Sequence, residues 1–493
     1  MEVVLVYIVV VIYIIALLMI FIYSIAQLNL LLNYLSATTN RLKDSYPEIK
    51  STQYPNVTIQ LPVYNELYVI DRLLDCIAAI DYPHERLQIQ VLDDSTDESL
   101  EQTRLKIEKL RITGLDIVHV TRTDRNGFKA GALKEGLKFA TGDLIAIFDA
   151  DFMPASDWLK KTVPFFVDPE IGVVQTRWGH LNRNYSFLTK VQAFALDAHF
   201  TIEQVGRNSK GHFINFNGTA GIWRKECIID AGNWEGDTLT EDLDLSYRAQ
   251  LRNWKFKYLE EVETPAELPV LISAARSQQF RWNKGGAENF RKTAASVVRA
   301  RNIDWRSRVH GILHLLNSSM FLFAFIIAIL SIPVMFIQHY YPEFKPVLKL
   351  TGFFLVSSVI LFLTYWITFK RIKGGGFLSF LSYIPMFFGF FAVALGFSLN
   401  NSIAVIQGHL GKRSSFVRTP KFNLSGKKDT PVKNKYISRR LPGISIPEMI
   451  LTAYFLFGIL GAWQLSNYGM MFFSGMLCFG FGFVTYLTIK NAS

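Results

Sequence analysis

The strongest constraint on this chain is the run Val3 to Ala26, apolar throughout except for tyrosine and serine. A helix that is apolar all round must lie in a core or in lipid, and about 20 such residues cross a bilayer. The run has no basic n-region and no small-residue cleavage site, so residues 1–30 read as a retained transmembrane anchor. Further runs of spanning length occur at His310 to Ile337, Leu348 to Phe369, Pro447 to Leu465 and Met470 to Ile489. Residues 301–493 are thus expected to be mainly membrane helices, and residues 31–300 a polar domain between them.

Phe377 to Leu410 is the exception. Both flanks are basic: Lys370-Arg371-Ile372-Lys373 before it, and Lys412, Arg413, Arg418, Lys421, Lys427 and Lys428 after it, in a loop over 411–440. Basic flanks mark the cytosolic side. A single crossing would separate them, so the segment reads as re-entrant or interfacial, with Asn400, Asn401 and Gln407 on its polar side. That predicts five spans, the N-terminus outside and the C-terminus inside; a sixth crossing is the alternative. The net charge of +11 is accounted for by these flanks and implies no nucleic-acid partner. Cys76, Cys227 and Cys478 are too far apart for a metal or redox motif, and the first two fit a cytosolic domain without disulfides.

From about residue 50 to 175, strand and helix patterns alternate. Strands are predicted at Val57 to Pro62, Leu87 to Leu92, Asp116 to Thr121, Leu144 to Phe148 and Gly172 to Thr176. Helices are predicted at Val69 to Ile80, Asp97 to Leu110, Lys129 to Phe139 and Trp158 to Phe166. This is the pattern of an α/β layer with a mainly parallel sheet, whose ligands bind beyond the carboxyl ends of the strands. Tyr64-Asn65-Glu66, Asp93-Asp94 and Asp149-Ala150-Asp151 all fall at that end.

Asp149 and Asp151 alternate with Ala150 and would share a face of an extended chain. Two like charges so placed call for a cation, and oxygen ligands suit Mg2+ or Mn2+; the bland alternative is a solvated strand end. A carboxylate-held cation beside a membrane-tethered α/β domain points to a substrate with a diphosphate leaving group. Lys129, after the turn Arg125-Asn126-Gly127-Phe128, would add positive charge there, or would simply be a solvated first-turn lysine. Phe216-Asn217-Gly218-Thr219-Ala220-Gly221 is a small-residue turn that allows close backbone approach. Thr240-Glu241-Asp242 opens a helix running to Leu251, where acids suit the dipole; across a crevice, Asp242 would serve as general base to an attacking hydroxyl. Val191 to Val205 also has a helical pattern. Gln278, Arg281 and Trp282 share one helical face, either to bind a ligand or to anchor at the interface.

The ordered series Asp93/Asp94, Asp149-Ala150-Asp151, Thr240-Glu241-Asp242 and Gln278-Gln279-Phe280-Arg281-Trp282 resembles the D, DxD, TED, QxxRW motifs of processive family-2 glycosyltransferases. Gln175-Thr176-Arg177-Trp178, Phe200-Thr201-Ile202-Glu203-Gln204 and Phe216 to Gly221 are similar to plant-type cellulose synthase-like mannan and glucomannan synthases. Phe416-Val417-Arg418-Thr419-Pro420-Lys421 resembles that family's gating loop, FxVTxK, departing from it at Arg418 and Pro420.

The resemblance implies a GT-A fold, a nucleotide-sugar donor (UDP-glucose or GDP-mannose), Mg2+ or Mn2+, a glycan acceptor, a cytosolic catalytic domain and export of a β-linked polymer. It implies that Tyr64, Glu66 and Asp93 or Asp94 hold the nucleoside, that Lys129 and Arg281 contact the diphosphate, and that Asp149 and Asp151 manage nucleotide and metal. Glu241 and Asp242 would be the catalytic acids, with Asp242 the base in an inverting displacement. Phe216, Asn217, Gly218, Gln278 and Trp282 would line the acceptor end, with Phe416, Thr419 and Lys421 on the loop. Two other readings remain open: a single-addition lipid glycosyltransferase of the ceramide glucosyltransferase kind, and a non-catalytic transport or binding protein.

Overall fold

The computed structural model describes residues 2–39, 47, 54–414, 417–424, 434–437 and 441–492. Seven strands form one sheet in the order β3-β2-β1-β4-β6-β5-β7. They are β1 (Val57–Val63), β2 (Leu87–Asp93), β3 (Asp116–Thr121), β4 (Leu144–Ile147), β5 (Ile171–His180), β6 (Gly221–Arg224) and β7 (Lys255–Ala266). All run the same way except β6, which lies antiparallel between β4 and β5. The fold is a mainly parallel α/β sheet, as the alternating pattern predicts.

The central strands are covered on both faces: β4 is wholly apolar, while β1 and β2 alternate apolar residues with buried polar ones. Val57, Ile59, Leu61 and Val63 of β1 face one core. On the other face of β1, Thr58 Oγ1 donates to Gln88 (3.0 Å) and Gln60 Nε2 to Gln90 (3.0 Å), pairing polar groups buried beneath the helix Phe128–Phe139 and leaving Gln60 Oε1 without a partner among the described residues. Gly136 lets that helix sit on this pair: a Cβ there would come within 2.6 Å of Gln60 Nε2.

Three expectations need amending. β6 and β7 carry no strong strand pattern, and β5 is longer than predicted. The helical pattern over Val191 to Val205 is divided into Phe187–Ala198, a π-helical turn His199–Glu203 and a short helix Gln204–Asn208. The Trp158 to Phe166 pattern is an α-helix only over Trp158–Thr162 and then tightens to a 3-10 helix.

Among the described residues, six helices are long and apolar enough to cross a membrane: Glu2–Thr39, Asn317–Tyr340, Pro342–Lys373, Phe377–Gly396, Ser445–Gln464 and Tyr468–Ala492. Phe377–Gly396 therefore qualifies by length and composition, and after Phe397 the chain continues as the helix Ser398–His409. The α/β lobe holds this segment at both ends and in the middle. Arg371 pairs with Glu261 (2.6 Å) just before it, Asn400 Nδ2 donates to Arg276 O (3.3 Å) just after it, and Phe390 packs on Phe194.

The helix Ile272–Arg299 joins lobe to membrane helices. The Arg276 guanidinium meets the Glu448 carboxylate at 2.7 Å, with both side chains buried. Further along the same helix, Asn289 Nδ2 donates to Thr240 O (3.1 Å) and Thr240 Oγ1 (2.9 Å).

Candidate active site

One cavity lies beyond the carboxyl ends of β1, β2 and β4, and the helix Ile272–Arg299 and residues 417–421 also line it. At one end the Arg125 guanidinium lies 3.3 Å over the Tyr64 ring. Asp94 faces the cavity and is gripped by Arg122 (Nε to Oδ1, 2.9 Å). Its neighbour Asp93 does not line the cavity. That carboxylate is buried, accepts the Ser95 N–H (2.9 Å) and meets His119 Nε2 at 3.0 Å. Of the two aspartates, Asp94 is thus the one available to a ligand. Glu66 also lines the cavity, bound to Arg418 through Nε (3.1 Å) and a terminal nitrogen (2.6 Å); burial outweighs that partner and raises its pKa.

The Asp149/Asp151 pair lies past the end of β4, so the two side chains are set by the following turn rather than by strand alternation. Each has its own cation. Lys129 Nζ bonds the Asp149 carboxylate and donates to Gly218 O (2.8 Å), while Lys421 Nζ lies 2.6 Å from Asp151. Burial works against both ammonium groups, but the surrounding carboxylates prevail and raise both pKa values. The pair's oxygens fit a hard divalent cation, because such an ion commonly takes one or two carboxylates and completes its shell with substrate phosphates. The compact cluster Glu235, Asp237 and Asp244 already holds an ammonium, Lys292 Nζ, at 2.7, 2.8 and 3.0 Å.

Glu241 and Asp242 begin the helix Glu241–Leu251 and line the same cavity. Thr240 occupies the N-cap position, but its side chain makes no cap; its hydroxyl is taken by Asn289 instead. Asp242 is pushed up to about 7, by burial first and by the Glu241 carboxylate second, with Lys129 opposing. Burial raises Glu241 as well. A buried carboxylate that titrates near neutrality is suited to accept a proton. Gly218, with φ +79°, lets the turn approach it: a Cβ there would be 3.2 Å from Asp242 Oδ2.

Gln278, Arg281, Trp282, Asn217 and Gly218 line the cavity together with Asp242. Phe216 does not. Its side chain is fully buried against Trp223, 5.4 Å between ring centres, so it supports the turn from the core. Arg281 donates to Thr419 Oγ1 (3.1 Å) and Val417 O (3.1 Å), which brings Thr419 and Lys421 into the site; Phe416 lies outside the described residues. Sequence reasoning missed Arg125, Trp178, His180 and Glu267 as lining residues, and Arg418 drew notice only as a departure from the loop pattern. Glu267 accepts the Phe422 N–H (2.8 Å) and the Leu424 N–H (3.2 Å), securing the loop. His180 and Glu267 stand in no motif, and the stretches that hold Arg125, Trp178 and Arg418 do not show which of their side chains face the cavity.

Residues 55–285 match the family model described as Glycosyltransferase like family 2. Glucomannan 4-beta-mannosyltransferase 1 of Oryza sativa subsp. japonica is 41% identical over 276 residues, covering 55% of this chain and 53% of that protein. Glucomannan 4-beta-mannosyltransferase 7 of Arabidopsis thaliana is 35% identical over 461 residues, covering 89% of this chain and 78% of that protein. The match thus spans about half the length of the first relative and over three quarters of the second. Among solved structures, the mannosyltransferase PcManGT from Pyrobaculum calidifontis, in complex with GDP-Man and Mn2+, shares the fold with a TM-score of 0.53 at 21% identity, over 80% of this chain and 100% of that one.

Proposed function

This chain belongs to glycosyltransferase family 2, in the cellulose synthase-like group that includes the glucomannan 4-beta-mannosyltransferases, and from that premise we propose that it transfers mannose from GDP-mannose to the growing end of a β-1,4-linked mannan or glucomannan. GDP-mannose is preferred over UDP-glucose on the names of the relatives and on the donor bound by PcManGT. The observation that carries the reading is the meeting of Asp149, Asp151, Lys129 and Asp242 in one cavity, drawn from distant parts of the chain.

Tyr64, Glu66 and Asp94 hold the nucleoside, and Lys129 and Arg281 the diphosphate. Asp149 and Asp151 would hold Mg2+ or Mn2+, and such an ion would supply charge neutralisation for a diphosphate leaving group. Asp242 takes the proton of the acceptor hydroxyl as it attacks the anomeric carbon from the face opposite the diphosphate, so an α-linked donor gives a β-linked product. Gln278 and Trp282 receive the acceptor, the indole offering a face for a sugar ring. The α/β lobe is cytosolic and the polymer leaves through the adjacent helices. Phe377–Gly396 is re-entrant or interfacial, a reading supported by the lobe contacts that flank it on both sides, Arg371 to Glu261 and Asn400 to Arg276. Five crossings then put the two termini on opposite sides, whereas six would put epitopes at both ends on the same side of intact cells.

The purified chain, given radiolabelled GDP-mannose or UDP-glucose, is expected to make from GDP-mannose a polymer degraded by endo-β-1,4-mannanase. EDTA should stop turnover, and Mn2+ or Mg2+ should restore it. Asp242→Asn should lower kcat by about two to four orders of magnitude with donor affinity retained. Product confined to a one-sugar lipid would establish the lipid-glycosyltransferase alternative, and full activity of Asp242→Asn would sink the assigned chemistry.

A further inference from the structure

His199 is used by none of the steps above, yet it contacts a cavity residue. Its Nε2 lies 3.2 Å from Asn217 Oδ1. That oxygen also accepts from Asn215 Nδ2 (2.8 Å), so two groups hold the carbonyl side of the Asn217 amide away from the ligand. Among the described residues, the remaining partner of Asn217 Nδ2 is Asn215 O at 3.5 Å, the far limit of a hydrogen bond. An amide nitrogen carries two hydrogens, so at least one is left to donate.

Behind the imidazole stands Glu203, whose Oε2 is 3.0 Å from His199 Nδ1. Arg207 lies 3.2 Å from the same carboxylate, and Gln27 of the first membrane helix donates to its other oxygen (3.1 Å). Burial alone would raise Glu203; Arg207 and His199 outweigh it and hold the carboxyl at about 2. Glu203 is therefore ionised and only accepts, and Asn217 Oδ1 only accepts as well, so the ring makes both contacts with a proton on each nitrogen, Nδ1–H to Glu203 and Nε2–H to Asn217. The segment between the two residues is the π-helical turn His199–Glu203, a backbone irregularity often kept at functional sites.

We propose that His199, backed by Glu203, is a positioning residue that sets the amide of Asn217 so that its Nδ2 donates to a hydroxyl of the acceptor sugar. Asn217 is well sited for this, because the adjoining Gly218 abuts Asp242. The proposal rests on reading the cavity as the acceptor site of a mannosyltransferase.

The test uses the full chain, GDP-mannose and a β-1,4-linked manno-oligosaccharide, with donor hydrolysis in the absence of acceptor as a second readout. His199→Phe keeps a ring to pack edge-on to Phe200, where the centres are now 4.9 Å apart. It is expected to raise acceptor KM about tenfold while donor KM and hydrolysis stay within about twofold. Asn217→Ala should raise acceptor KM at least as far, and the double variant should be no worse than Asn217→Ala, the sign that one residue acts through the other. Glu203→Gln should raise acceptor KM in the same direction, and an unchanged value there overturns the proposal even where His199→Phe fails to fold. Multiplying losses in the double variant, or equal loss of hydrolysis and transfer in His199→Phe, also overturn it. A wild-type chain that turns over no nucleotide sugar refutes the mannosyltransferase reading itself; an active wild type with an unaltered His199→Phe refutes only this inference.

Discussion

The position of Asp242 makes the pH profile the most demanding test of the site. As general base, Asp242 must be ionised, and its ordinary value of 3.8 is raised to about 7 in the buried cavity. About a tenth of the enzyme is then competent at pH 6 and about nine tenths at pH 8, so kcat/KM should climb nearly tenfold across that interval and fall about tenfold per unit below it. The direction follows from the sign of the shift: a carboxyl raised by its surroundings is protonated, and inactive as a base, until pH passes the raised value. After burial, the largest cause of the shift is the Glu241 charge, so Glu241→Gln should move the acid limb to lower pH whatever it does to the maximum rate. The assay is initial velocity against donor concentration at saturating acceptor, from pH 5.5 to 8.5 at constant ionic strength, with circular dichroism to confirm folding at each end. A flat profile, or a limb that Glu241→Gln leaves in place or moves upward, would refute the assignment of Asp242 as the titrating base.

Gly218→Ala should cost at least tenfold in kcat with donor affinity preserved, since the new methyl is placed 3.2 Å from Asp242 Oδ2 on a backbone of φ +79°; wild-type turnover would show that the turn does not abut the base in solution. Glu448→Ala leaves the buried Arg276 guanidinium with no countercharge and only the Thr488 hydroxyl (3.0 Å) as partner, a loss of about 3–5 kcal/mol by analogy with other buried pairs, read as a lower thermal midpoint in detergent; an unchanged midpoint would mean that water replaces the carboxylate.

The parts of the fold that depend on local pattern were legible in the sequence. β1 to β3 alternate β-branched or other apolar residues with polar ones and β4 is a short apolar run, all bounded by turn residues, and Asp116–Thr121 was predicted at both ends. β7 was not, because Lys255, Lys257, Glu260, Glu261 and Glu263 break up its apolar residues, even though Phe256 and Tyr258 pack in one core and Leu259, Val262 and Ala266 in the other. The choice between Asp93 and Asp94 could not be made, since neighbouring residues on an extended chain face opposite sides and the sequence does not say which side is the cavity. Phe216 reads the same in a turn whether its ring meets a ligand or the core. Arg418 reaches Glu66 across 352 positions, a contact that only the folded chain can reveal.

The helix Ile272–Arg299, about 42 Å long at the usual rise per residue, works as a single rod. Arg276 fastens it to Glu448 near one end, Lys284 takes hold of Lys412 O and Ser414 ahead of the loop, and Asn289 grips Thr240 just before Asp242. A tilt imposed on that rod from the bilayer side would carry Asp242, Trp282 and the root of the loop with it. Lipid thickness or a lateral neighbour pressing on Ser445–Gln464 would thus be felt as a change in turnover, with no messenger molecule in between.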